Sequence, residues 1–366
     1  MASRSTCRTG SYEIAATVMK AAVFDRAGRP LQIESVADPT PGAREVVVRV
    51  DRCGICGSDL HITDGHGYTV PAGTVLGHEF AGEIVAIGPN VHHLSVGERV
   101  AAMPIIGCGS CRYCLSGTPA WCTSIGYTFG GYAEYAIASS VTAIPLPATL
   151  SSPDAALAEP LAVALHGVAA AGLRPGAHVL IQGAGPIGLS ALFWAKSLGA
   201  GRVDVVEGVT ARAKIALEMG ADSVAAPNEH VPDSPTAADN PGAEVVVECV
   251  GRPGLLAQAL QLVGTGGTVI SLGYCLQPDA LIPALACNKE ARVLFPKLYS
   301  RREFEFAIDV LDRGAVAPRA MVTSTIGLQQ LPQKFESLRR APADCKVLID
   351  PRAACASPLP NGAESR

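Results

Sequence analysis

The residues best equipped for chemistry fall in two short spans. Residues 53–61 read CGICGSDLH, and residues 77–79 read GHE. Together they offer a thiol (Cys56), an imidazole (His78) and a carboxylate (Glu79), the three side-chain types that bind zinc. A zinc used in catalysis needs about three protein ligands and one coordination position left to the substrate. A buried cysteine standing alone is usually a small hydrophobe. Three kinds of donor meeting in glycine-rich turns point instead to a metal. Cys53 competes as a thiol and is read as a packed neighbour. His61 and His66 compete as imidazoles; His61 is given a proton-transfer role and His66 none.

A second cluster is C-x2-C-x2-C-x7-C, formed by Cys108, Cys111, Cys114 and Cys122. Gly107, Gly109 and Gly117 let the backbone wrap around the sulfurs. Four thiolates suit a closed tetrahedral zinc site with no open position, so its role is structural. The spacing alone also admits an iron–sulfur cluster, but the surrounding fold signals do not suit an electron carrier. The other seven of the twelve cysteines (Cys7, Cys53, Cys249, Cys275, Cys287, Cys345, Cys355) and Cys56 show no such clustering. No apolar leader precedes them. Clustered thiols in such a chain read as metal ligands rather than a disulfide framework, with a reducing cytoplasm as the expected compartment.

A third motif is GAGPIG, residues 183–188. It follows an apolar strand (178–182) and opens a helix (189–198). Gly183, Gly185 and Gly188 allow a tight turn and close backbone approach. Pro186 and Ile187 begin the helix whose N-terminus attracts a pyrophosphate. Glu207, nineteen residues after Gly188, ends the next strand, where an acid hydrogen-bonds the ribose hydroxyls. That favours NAD over NADP. Arg212 is a signal the other way, since a nearby arginine can accept a 2′-phosphate.

These sites need elements to hold them. Residues 20–150 carry short β-type runs at 45–50, 82–87, 99–102 and 132–137, closely punctuated by Gly and Pro, which is the texture of a barrel-like β unit with functional loops. A first strand is expected at 19–24. A helix is expected over 154–166, starting at Ser151, Ser152 and Pro153. Apolar strands at 178–182, 203–207, 243–248 and 268–272 alternate with helices, the pattern of a parallel sheet covered on both faces. Residues 225–242 look like a surface excursion. An amphipathic helix is expected at 303–311 and a last strand at 346–349. At 366 residues, with 48% hydrophobic and 17% charged side chains, the chain suits two domains. A net charge of −4 without basic runs argues against nucleic acid. No apolar run approaches the ~20 residues of a membrane span.

With these motifs in place, the chain resembles the zinc-dependent medium-chain dehydrogenases, which include alcohol, sorbitol and threonine dehydrogenases. Residues 77–91 match that family's zinc signature and residues 54–61 its first ligand loop. Cys108 to Cys122 match its structural zinc lobe, and residues 179–188 its nucleotide fold. The resemblance runs from about residue 19 to 351. It implies an α/β fold, with a GroES-like β-barrel catalytic domain plus a Rossmann doubly wound parallel-sheet nucleotide-binding domain. The implied layout is an extension (1–18), a catalytic part (19–160), the nucleotide domain (161–295), a second catalytic part (296–350) and a tail (351–366). Cys56 and His78 then imply catalytic zinc ligands. Glu79 implies a ligand or a close carboxylate that exchanges with water. Glu159 sits where polyol-type members place a glutamate near the metal, so the chain looks closest to the sorbitol, threonine and butanediol branch. Ser58 matches the hydroxyl that takes the substrate proton, and His61 the outer end of that relay.

One stretch departs from the family. Polyol-binding members often carry an arginine in a Phe-Arg-Tyr stretch after the nucleotide domain, where this chain reads FPKLYS, residues 295–300. A less polar secondary alcohol suits Leu298, Tyr127 and Phe129 better, if these line the cleft. The expected activity is reversible oxidation of a secondary alcohol or diol to a ketone with hydride transfer to NAD, using two zincs per chain. The competing readings are a primary alcohol or aldehyde substrate, and a non-catalytic NAD-binding scaffold. By family analogy a homodimer or homotetramer is expected, with a small alcohol or ketone as the only other partner.

Overall fold

A computed structural model describes residues 17–227, 242–315, 317–340 and 343–353. The expected N-terminal extension and C-terminal tail, and most of the excursion at 225–242, lie outside these residues. Among the described residues, no helix is long and apolar enough to cross a membrane.

The chain opens with β1 (Val18–Phe24), which pairs antiparallel with β2 (Gln32–Ala37). The long β3 (Glu45–Gly54) leads into α1 (Gly57–Thr63). Then come β4 (Thr74–Val75), β5 (Glu79–Ile87), β6 (Arg99–Ala102), β7 (Ile105–Ile106), α2 (Arg112–Leu115), β8 (Gly126–Tyr127), β9 (Tyr135–Ser139) and β10 (Ala143–Pro145). A seven-stranded sheet runs β10-β6-β5-β3 and continues into the last two strands of the chain, with β9 also on β3. The β3–β5 register shifts at Val47/Val48 and Val50/Arg52, and β3 pairs with three strands, β5, β9 and the last strand of the chain. Alternating Val46, Val48, Val50 and Ile84 bury one face with Phe80 and Tyr132.

The expected helix over 154–166 is instead two: α3 (Ser152–Ala155) and α4 (Ala158–Ala170). Pro160 explains the break. In one continuous helix its ring would clash with the carbonyl of Ala156, whereas in the first turn of a new helix its missing N–H costs nothing. Ser151 caps α3 by accepting from the Asp154 amide, and Arg319 holds the Asp154 carboxylate at 2.7 and 2.9 Å. The boundary expected at 160/161 falls inside α4.

Beyond α4 strands and helices alternate: β11 (His178–Gln182), α5 (Pro186–Ser197), β12 (Arg202–Val206), α6 (Thr210–Glu218), β13 (Ser223–Ala225), β14 (Ala243–Glu248), α7 (Leu255–Leu262), β15 (Val263–Ser271), α8 (Pro283–Asn288) and β16 (Arg292–Leu294). These strands form one parallel sheet in the order β13-β12-β11-β14-β15-β16. Counted from its first strand, that is the 3-2-1-4-5-6 order of the dinucleotide fold, with a crevice where the order reverses between β11 and β14. Val179, Ile181, Val245 and Val247 bury one face and Leu180, Val246 and Val269 the other. Last come α9 (Arg301–Asp312), β17 (Val322–Gly327), α10 (Leu331–Arg340) and β18 (Lys346–Asp350). β18 returns to pair with β3, Leu348 opposite Gly54, which brings the end of the chain to the first ligand loop.

Candidate metal and cofactor sites

Cys56 caps the start of α1 directly after β3, and Glu79 opens β5 directly after His78. Because β3 and β5 pair with Gly54 opposite Glu79, both spans reach one end of the sheet. The donor atoms of Cys56, His78 and Glu79 lie within 4.8 Å of one another. Gly54 is required here, since a Cβ would stand 2.0 Å from a Glu79 carboxylate oxygen. That carboxylate accepts from Lys346 Nζ at 2.6 and 2.8 Å, and the same ammonium donates to the Ile55 carbonyl at 3.0 Å. Both side chains are 1% exposed. Burial, the largest single effect, would lower the Lys346 pKa, but Glu79, Cys56 and Glu159 together outweigh it and the pKa is raised.

Behind His78 stands Asp59, fully buried, with one oxygen 3.3 Å from Nδ1. The other oxygen accepts from the Tyr132 hydroxyl at 2.5 Å. Neither His78 Nδ1 nor the facing Asp59 oxygen has a well-aligned hydrogen-bond partner among the described residues. Burial pushes the His78 pKa down, yet the Asp59 and Cys56 charges outweigh it and the pKa is raised well above the usual value. Gly77 fixes the turn: its φ is +84°, and a Cβ would meet the Tyr132 ring at 2.4 Å.

Glu159, in the first turn of α4, is buried and accepts from the Tyr299 hydroxyl at 3.1 Å. Burial foremost, then the balance of His78, Glu79 and Lys346, puts its pKa up at about 7. Leu298, directly before Tyr299, adopts φ +55°, a conformation L residues seldom take. Ser58 Oγ donates to Cys56 Sγ at 3.3 Å. His61 lies one turn on along α1 and is exposed. Cys53 is buried in the core, its thiol pKa raised by burial first, as suits a packed neighbour. The convergent thiol, imidazole and carboxylate, with the Asp59 carboxylate behind His78, form a set that could hold a zinc ion. Lys346 grips both oxygens of Glu79, which leaves Glu159 as the competing carboxylate.

The four cysteines also converge within 4.8 Å. Backbone amides point at the sulfurs: Cys108 N at Cys122 Sγ (3.4 Å), Cys111 N at Cys108 Sγ (3.3 Å) and Cys114 N at Cys111 Sγ (3.5 Å). Gly107 makes room for Cys114 Sγ, which would lie 2.4 Å from a Cβ. The Ser110 amide and hydroxyl, with the Cys111 amide, hold the Cys108 thiol down at about 6. Desolvation and the other sulfurs push Cys114 up to about 12. Such a cluster accepts four negative sulfurs only around a cation, and it fits a closed zinc site.

In the third motif each glycine has its own reason. Gly183 turns at φ +94°, with Val250 2.6 Å from any Cβ. A Cβ on Gly188 would stand 1.8 Å from the Gly183 carbonyl, so close helix–strand packing needs glycine. On Gly185 a Cβ would meet only Arg212 Nη1, at 3.9 Å, leaving the loop open to a ligand. Glu207 follows β12 and accepts from the amides of Ala184 and Val209, both at 2.7 Å. Arg212 gives two nitrogens to the Asp344 carbonyl, at 2.6 and 3.1 Å. That ties α6 to the segment before β18. The loop residues and Glu207 could hold a dinucleotide.

Of the expected cleft residues, Phe129 meets His78 edge-on with centroids 6.1 Å apart, Tyr127 contacts Tyr68, and Leu298 packs on the core. Sequence reasoning missed Asp59, Tyr132, Lys346 and Tyr299. A signal existed for two of them: Asp59 sits inside the ligand loop, and Lys346 puts a charge directly before the apolar run at 347–349.

This fold and these sites define a zinc-type dehydrogenase, and comparison with known proteins agrees. The family model described as alcohol dehydrogenase GroES-like domain matches residues 42–148, and the one described as zinc-binding dehydrogenase matches 186–313. The sorbitol dehydrogenase of Bacillus subtilis (strain 168) is 32% identical over 346 residues, 91% of this chain and 97% of its own. A putative zinc-binding dehydrogenase from Sinorhizobium meliloti 1021, solved bound to NADP, superposes with a TM-score of 0.84 at 31% identity, covering 92% of this chain and 100% of that one. An alcohol dehydrogenase (rspB) from E. coli CFT073, solved with NADH, gives a TM-score of 0.83 at 29% identity over 91% of this chain and 99% of that one. The chain belongs to the zinc-type medium-chain alcohol dehydrogenase family, a family of oxidoreductases.

Proposed function

We propose that the protein oxidises a secondary alcohol or diol to a ketone, reversibly, with NAD as hydride acceptor. The observation that carries this reading is the meeting of the Cys56, His78 and Glu79 donors beside Ser58, in a chain whose parallel sheet also presents the Gly183–Gly188 loop. In the reaction the alcohol loses a hydride from carbon and a proton from oxygen. Zinc at the first site would supply Lewis acidity, and the nicotinamide would supply the hydride acceptor.

The chain's own residues do the rest. Cys56 and His78 are the firm metal donors, with Glu79 and Glu159 sharing the carboxylate position. Asp59 orients the His78 ring and favours its role as donor. Ser58 takes the hydroxyl proton and His61, at the solvent end of α1, releases it. Glu207 binds the ribose hydroxyls, favouring NAD over NADP, and Arg212, held by the Asp344 carbonyl, is the residue that could instead accept a 2′-phosphate. Cys108, Cys111, Cys114 and Cys122 hold a second, structural zinc. The division into 19–160, 161–295 and 296–350, a cytoplasmic setting and a homodimer or homotetramer belong to the same reading.

The test is elemental analysis of reduced protein together with NAD reduction on a panel of alcohols and polyols. Two zincs per chain with turnover of secondary alcohols is the expected result. One zinc and no turnover would leave only the cysteine lobe and point to a dinucleotide-binding scaffold.

A further inference from the structure

Three tyrosines from three separate elements meet near the site. Tyr68 lies in the loop after α1, the helix that carries Ser58 and His61. Tyr127 ends β8, two residues before Phe129, whose ring abuts His78. Tyr274 lies in the loop after β15, at the carboxyl edge of the parallel sheet, where the cofactor crevice of such folds opens. The Tyr68 and Tyr127 centroids are 5.1 Å apart with planes tilted 53°. Tyr68 and Tyr274 are stacked at 6.3 Å with planes 9° apart. The cluster therefore spans the two domains.

These rings are unusually open for aromatic side chains: Tyr68 is 43% exposed and Tyr274 52%. Their loops touch, since a Cβ on Gly67 would lie 3.5 Å from Leu276 and 3.7 Å from Tyr274. Leu276 is itself 42% exposed. The polar content of the cluster is phenolic. The Tyr68 and Tyr127 hydroxyls pair at 3.2 Å, and the Tyr274 phenol is hydrogen-bonded to Tyr68, which uses two of the three O–H groups and leaves one to donate. Burial first, then Tyr127, raises the pKa of Tyr68, and burial first, then Tyr68, raises that of Tyr274.

Resting on the dehydrogenase reading, we propose that Tyr68, Tyr127 and Tyr274 form the wall of the substrate cleft that receives the alcohol's carbon substituent, and that they select a flat aromatic group over a polyol chain. Stacked and tilted ring faces give a flat aromatic substituent favourable contact from more than one side. A polyol needs several hydrogen-bond donors and acceptors around it, and its hydroxyls would be left unpaired against ring faces. The one spare phenolic O–H gives orientation without demanding a polar substrate.

The test uses the zinc-loaded enzyme with NAD. kcat/KM is measured for 1-phenylethanol, 2-butanol and sorbitol with wild type, Tyr274→Ala, Tyr68→Ala and Tyr274→Phe. Wild type should favour 1-phenylethanol over 2-butanol by about tenfold or more, and over sorbitol by a wider margin. Each alanine variant should lower the phenylethanol-to-butanol ratio by about tenfold, mainly through KM, and Tyr274→Phe should preserve it. A ratio unchanged in both alanine variants, or a wild type that prefers sorbitol, overturns the proposal while leaving the dehydrogenase reading intact. Turnover of none of the three alcohols would sink the dehydrogenase reading instead, and the selectivity with it.

Discussion

The cysteine lobe and the Cys56 site each gather their donors within 4.8 Å, but they are built by opposite means. The lobe takes its donors from residues 108–122, and backbone amides of the same loop turn toward the sulfurs. It stands partly exposed, with Cys108 at the surface. The other site draws on Gly54, Cys56, Asp59, His78, Glu79, Tyr132, Glu159, Tyr299 and Lys346, nearly the length of the chain. There the supporting charges are buried and paired. A short loop suffices to close four ligands around a metal. A site that leaves a position for substrate needs its donors held by rigid elements on every other side.

The comparison breaks most visibly at the ligands. Cys56→Ala should cut kcat/KM by about 10³-fold or more, the several kcal/mol expected of a Lewis acid, with the fold intact and zinc falling from two per chain to one. Cys111→Ser should do the reverse. It should lower Tm by several degrees while folded enzyme keeps kcat/KM within about tenfold. If Cys111→Ser abolished turnover at an unchanged Tm, the split between structural and chemical roles would be wrong. Next in size is Lys346→Met, which strands the Glu79 carboxylate in the interior. A loss of about 3–5 kcal/mol in urea unfolding is expected, partly recovered when Glu79→Gln is added. A single variant as stable as wild type would mean that the pair is not what holds β18 to the ligand loop.

The same contrast decides what could be read beforehand. The lobe's spacing is local, so four cysteines and three glycines were enough. The dinucleotide loop was legible for a like reason, since strand, glycines and helix follow one another directly. The open site was only half legible. Cys56, His78 and Glu79 stood out as residue types, but their partners are set by strand pairing: β18 on β3 brings Lys346 beneath Glu79. The link from Tyr299 to Glu159 joins residues far apart in sequence, just past a left-handed residue at Leu298, and no local signal announces it. The helix expected over 154–166 divides into two because Pro160 does not fit the interior of one continuous helix, which an apolar period does not register.

A finer probe of the open site is Asp59→Asn. It removes the charge beside His78 Nδ1 and keeps an oxygen for the Tyr132 hydroxyl. Carboxylates behind a ligating histidine typically contribute 10–100-fold to metal affinity or activity, so a loss of about that size at the catalytic zinc is expected. Tm should hardly move. Equal zinc retention by wild type and variant against a competing chelator would show that Asp59 serves only the packing of Tyr132.

The smallest effect should come from the matching change in the lobe. Ser110 Oγ lies 3.6 Å from Cys108 Sγ, and the Ser110 amide is the foremost cause of that thiol's low pKa. Ser110→Ala removes the hydroxyl and leaves the amide, along with the amides that address the other sulfurs. A single exposed side-chain hydrogen bond is worth about 1 kcal/mol or less, so the lobe's zinc should weaken by less than about tenfold in chelator competition. A local site built on its own backbone tolerates such a loss. The open site has no comparable reserve, because the groups around its donors are side chains from distant strands. A Ser110→Ala loss as large as that of Asp59→Asn would show that the lobe too depends on its side chains, and the contrast between the two sites would shrink to one of distance along the chain.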